Sequence, residues 1–171
     1  MQKFSSIVIF SLFIIGLPAY AGPAEDFQAL LDEAWEWQLN ENPVGASRLG
    51  DRRFNDQWTD MSLEAIERRF EQQQVFLRRV RTIDSSQLSD TDSLNYDLFR
   101  RQLENSIDGH EYKSYLMPMS QRGGVQSLES TAETLRLANV KDYEDWLARM
   151  TKIENVIAQT TALLEEGRKT G

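Results

Sequence analysis

The sequence predicts an all-α fold, and three observations carry that prediction. Apolar residues recur at i, i+3, i+4 and i+7 in one stretch after another, and no segment alternates with period two for long enough to build a sheet. No repeat of fixed length interrupts that pattern. The expected architecture is a bundle of about four to five amphipathic helices with one ordered loop rich in Pro and Gly.

The first 21 residues differ in kind from the rest. Lys3 makes a short positive start, Ile7 to Leu17 is apolar apart from Ser11 and Gly16, and Ala19-Tyr20-Ala21 places small residues at −3 and −1 of a cleavage site. This is the pattern of a secretory signal peptide cut after Ala21. The apolar run falls short of the ~20 residues that span a bilayer, so residues 22–171 are expected to be periplasmic or secreted, with no membrane association after cleavage.

Phe27, Leu30, Leu31, Ala34 and Trp35 mark a first helix over Glu25 to Asn42, which Pro43 stops because it lacks an N–H and clashes with the turn before it. Asn40 to Gly50, with Pro43, Gly45 and Gly50, reads as a break, followed by a structured loop anchored by Phe54 and Trp58. Ser62 is placed to cap a second helix, whose stripe of Leu63, Ile66, Phe70, Leu77 and Val80 is interrupted at Gln73 and Gln74. Ser89 and Asp92 resemble a capping box, and Tyr96, Phe99, Leu103 and Ile107 share one face of a third helix ending near Asp108-Gly109. From Asp142, the residues Tyr143, Trp146, Leu147, Met150, Ile153, Ile157, Thr160 and Leu164 predict one long helix closed by Gly167 and Arg168-Lys169. Between the last two helices, Tyr112 to Val125 contains Met117-Pro118-Met119 and Gly123-Gly124 and predicts an ordered loop crossing the helix ends.

Composition excludes several chemistries. With 19 Lys and Arg against 27 Asp and Glu the chain carries a formal charge of −8, which opposes nucleic-acid binding. It has no Cys and one His, so disulfides, thiolate zinc sites and a cysteine nucleophile are ruled out, and no cofactor site is expected within the chain. His110-Glu111 starts like a helical zinc-protease motif, but position 114 is Ser rather than His and Gly109 precedes it. Ser120-Gln121-Arg122-Gly123-Gly124 is the most suggestive local run: two glycines admit a ligand close to the backbone, and Arg122 suits a carboxylate or phosphate. A surface turn is the competing reading of those residues. Trp37 and Trp58 lie off the apolar stripes and are the tryptophans suited to a cleft or interface.

Taken in order, four segments resemble a known bacterial family. They are Asp32-Glu33-Ala34-Trp35-Glu36-Trp37 leading to Glu41-Asn42-Pro43-Val44 and Leu49-Gly50-Asp51-Arg52-Arg53-Phe54-Asn55-Asp56; Leu88-Ser89 with Leu94 to Glu104; Met119 to Gly124; and Asp142 to Leu147 with Arg149. Together they resemble the domain-of-unknown-function family DUF885. The resemblance implies an exported, mostly helical protein of several hundred residues, similar to zinc metallopeptidases of the thermolysin-related clan, whose His-Glu-x-x-His-type motif lies downstream of the part matched. It therefore implies that residues 22–171 are an incomplete N-terminal portion, with zinc and the catalytic part of the same protein beyond it, and a peptide-like substrate for the whole. On that reading no catalytic or metal residue falls in this chain, and Arg122, Gly123, Gly124 and Trp58 are the residues expected to face a substrate cleft. The rival expectation is a small exported helical module that binds a protein partner through an apolar patch of Trp37, Phe54, Trp58 and Phe76.

Overall fold

The computed structural model describes residues 22–121 and 123–170, which form seven α-helices and three short 3-10 turns without a strand. The signal cleavage point at Ala21 lies outside the described residues. The elements are α1 (Pro23–Glu41), α2 (Pro43–Arg48), α3 (Leu63–Val80), α4 (Asp90–His110), α5 (Ser130–Thr134), α6 (Val140–Met150) and α7 (Ile153–Thr170). The all-α bundle predicted from periodicity is the fold observed. Among the described residues no helix is long and apolar enough to cross a membrane.

The caps fall where the sequence places them. Ser62 accepts from the Ala65 N–H at the start of α3, and Ser89 accepts from the Asp92 N–H at the start of α4. Each satisfies an N–H that has no carbonyl partner within its helix. Helices α1, α3 and α4 then enclose the core: Phe27, Leu30 and Ala34 meet Phe76, Leu77 and Val80 from α3 and Tyr96 and Leu103 from α4.

Four expectations need correction. Asn40 to Gly50 is not a plain break, because Asn42 caps a short second helix through the Gly45 N–H, with Pro43 at its first position; Pro ends α1 and starts α2 by the same missing donor. Trp35 does not join the core: it is 49% exposed, whereas Trp37 is part-buried against it, because residues 30, 34 and 37 share a face and residue 35 lies off it. Phe76, placed on an exposed patch, is a core side chain. The long last helix is two helices, α6 and α7, separated at Thr151-Lys152.

Gly167 also has a different role from a helix stop. It lies inside α7, and a Cβ there would come within 2.8 Å of the Leu116 carbonyl oxygen. It is the notch against which the turn Ser114–Leu116 packs, so that part of the predicted loop lies on α7.

Candidate functional site

The segment from Asn42 to Met61 is fixed to α6 and α7 by side chains distant in sequence. Arg149, in the last turn of α6, has no exposed surface. Its Nη2 donates to the Phe54 carbonyl at 2.7 Å and to the Ser47 hydroxyl at 2.9 Å, and Ser47 donates onward to Pro43 O and Asn55 Oδ1. Burial pushes the guanidinium down to about 10 against the opposing pull of Asp56 and Asp145, which leaves it charged at neutral pH. Its Nε and Nη1 find no partner among the described residues. Nearby, Arg52 pairs with Asp142, whose carboxylate is buried and also accepts from the Ala138 and Asn139 N–H groups. Lys152 donates to the Asp56 carbonyl at 2.8 Å.

Trp58 is positioned by this network. Its indole N–H donates to the Arg149 carbonyl at 2.8 Å, the Arg149 guanidinium lies 5.3 Å from its ring centroid, and Trp146 meets it edge-on at 6.3 Å. Three residues later the Met61 N–H donates to Gln159 Oε1, and Gln159 donates in turn to Asp60 Oδ1. Two anchors thus press residues 58–61 onto the α6–α7 elbow.

That arrangement leaves a cavity of about 180 Å³ between three parts of the chain: Val44 and Trp58 on one side, Pro118 and Gly124 on another, and Val156 and Thr160 of α7 beneath. The structure therefore brings two of the sequence-predicted cleft residues, Trp58 and Gly124, to one site. Gly124 has φ +141°, and a Cβ there would come within 2.6 Å of Gln126 Oε1 and 3.1 Å of the Met119 backbone, so a side chain is opposed by both conformation and space. Gly123 does not line the cavity. It closes a tight turn by exchanging backbone hydrogen bonds with Ser120, and Gln126 Nε2 donates to the carbonyls of both. Arg122 lies outside the described residues.

His110 ends α4, as its sequence context suggested. Its ring stacks on Phe70 with centroids 3.9 Å apart, and its Nε2 lies 3.3 Å from Glu67 Oε2. Among the described residues no three of His, Cys, Asp and Glu converge as a metal-ligand group. Sequence reasoning missed Arg149 as an anchor: an Arg at the end of an amphipathic helix ordinarily extends to solvent, and it enters only as the last residue of one quoted segment. The residues quoted from Leu49 to Asp56 and from Asp142 to Arg149 are, in space, the two halves of a single clamp.

Nothing among curated proteins matches the chain. A family model does: residues 43–171, 129 of the 171 residues, match the one described as bacterial protein of unknown function (DUF885).

Proposed function

We propose a function from the premise that the chain belongs to the DUF885 family: it is the non-catalytic helical portion of an exported hydrolase resembling zinc metallopeptidases, and it walls the cleft that receives a peptide or related amide. The observation that supports this reading is the cavity shared by Trp58 and Gly124, in which a rigidly anchored indole and a side-chain-free backbone position face the same space. Rigid aromatic walls and an accessible backbone are what a site needs to hold an extended chain.

The residues described do not fit zinc. Their one imidazole is engaged with Phe70 and Glu67, and no third His, Cys, Asp or Glu among the described residues joins that pair. No catalytic step is therefore assigned to this chain; the metal would be held by the catalytic part of the same protein. That part has a surface to pack on. Val140, Tyr143, Leu147 and Met150 on α6, continued by Ile157 and Leu164 on α7, form a stripe at helical spacing that stays exposed, Val140 to 73% and Leu147 to 58%. The stripe equally suits the rival reading, a binding module without catalysis, since exposed apolar patches of this kind mark interaction surfaces. Export through the leader ending at Ala21, to the periplasm or beyond, completes the proposal.

Expression of the gene's whole reading frame tests it. The expected result is zinc-dependent cleavage within a mixed peptide pool, with substrate affinity weakened about tenfold by Trp58→Ala. Hydrolysis or stoichiometric zinc binding by residues 22–171 alone would overturn the cleft-wall role, and a whole product devoid of hydrolysis would favour the binding module.

A further inference from the structure

The gap in the apolar stripe of α3 opens onto a second site. Phe76, Leu77 and Val80 seal the last turns of α3 against α4, yet one turn earlier Gln73 stands where an apolar residue would extend the seal. The Ser106 hydroxyl of α4 donates to Gln73 Oε1 at 2.9 Å, and the Gln73 amide nitrogen has no partner among the described residues. Around this pair the seam parts into adjoining cavities of about 410 and 360 Å³, which share Arg69, Gln73 and Ser106. The larger is of the size that receives small molecules.

The chemistry of its lining is specific. Part-exposed Trp37 and Phe99 form an aromatic floor, and Trp37 is held edge-on by buried Phe76 at 5.4 Å. Gln38 and Gln102 stand at the rim, and neither side-chain amide bonds to another described residue. The charged groups of the lining pair with each other: Glu41 and Arg69 approach to 3.3 Å, and Arg68 reaches the same carboxylate from outside the cavity at 3.2 Å. The one carboxylate of the lining is thus already engaged by arginine, and a cation would meet no unpaired acid. What the groove offers instead is neutral groups that both donate and accept, beside aromatic faces.

We infer that this α1–α3–α4 groove is a binding site for an uncharged, hydroxyl-rich ligand, the class represented by a short neutral oligosaccharide. Each sugar hydroxyl donates and accepts as each glutamine amide does, and the C–H face of a pyranose ring packs on an aromatic surface. Helix α1, which supplies Trp37 and Gln38, precedes the family-matched residues 43–171, so the site goes beyond the function proposed above.

Calorimetric titration of the full chain with maltotriose, cellotriose and chitotriose tests the assignment. At least one should bind saturably at millimolar concentration or below. The double variant Gln38→Ala/Gln102→Ala, which alters exposed side chains only, should weaken that binding at least about tenfold while leaving the melting temperature unchanged. Trp37→Ala should abolish it, with circular dichroism reporting whether the helices persist. Absence of binding for all three sugars, or binding that both glutamine changes leave intact, would overturn the inference.

Discussion

A guanidinium with no exposed surface and two nitrogens unpartnered among the described residues is costly to hold, so Arg149 must return that cost through what it organises: the Phe54 carbonyl, Ser47 and the face of Trp58. Arg149→Ala should lower unfolding free energy by about 3 kcal/mol, combining a cavity with two groups stripped of their donor. Arg149→Met keeps the bulk and removes the buried charge, and urea denaturation should show less than half that loss. Gly124→Ala places a methyl group at φ +141°, and should cost about 1–3 kcal/mol by the same measurement. Asp60 provides an acid-sensitive contact between the 58–61 segment and α7. Burial pushes its carboxyl up, but hydrogen bonds from Ser62 and Gln159, with Arg68 nearby, outweigh burial and hold it below the ordinary value. A folded-state value below the unfolded one stabilises above about pH 4, and that contribution fades as pH falls through the lower folded value. The stability difference between the chain and Asp60→Asn should therefore be present at neutral pH and vanish in strong acid, as followed by thermal melts across pH.

At the scale of the element, the caps and the polar gap in α3 make opposite predictions. Ser62→Ala or Ser89→Ala leaves a helix N-terminus without its acceptor and should cost about 1 kcal/mol each in thermal unfolding. Gln73→Leu completes the interrupted stripe and should raise the melting temperature while closing the groove to sugars. Those caps were legible before any coordinates, because a Ser before an apolar-periodic run has one local use. The α6–α7 break was not. Tyr143, Leu147, Met150, Ile157 and Leu164 hold helical register through it, and neither Thr151 nor Lys152 is a breaker residue. Long-range bonds accompany the interruption instead: Lys152 reaches the Asp56 carbonyl and Arg149 reaches Phe54, contacts that local periodicity does not encode. The choice between Trp35 and Trp37 failed for a smaller reason. Helical geometry puts residue 37 on the face of residues 30 and 34 and residue 35 off it, a distinction of angle within one turn that the i, i+3, i+4 count passed over, and Phe76 of α3 covers that face.

For the whole molecule, the candidate site was half legible. Pro118 and Gly124 announced a turn and Trp58 an anchor, but that these converge over Val156 and Thr160 depends on how 43–61 folds back onto α7. The outward stripe of α6 and α7 marks a face left open by the chain's own packing. Tyr143→Glu with Leu147→Glu should change the stability of residues 22–171 by no more than about 0.5 kcal/mol, as for other surface changes. The same pair in the whole gene product should reduce the yield of intact, protease-resistant protein if the catalytic part packs there.

The core cluster is drawn wholly from α1, α3, α4 and the residues packed on them, whereas α6 is held chiefly by the polar clamp of Arg149, Asp142 and Trp58. Cooperativity should divide along that line. In native-state amide exchange, α6 and residues 43–58 should open together as one unit at a free energy below that of global unfolding, ahead of the α1–α3–α4 assembly. The clamp thus sets the order in which the molecule comes apart, and the Trp58 side of the cavity would be lost before the three-helix nucleus melts.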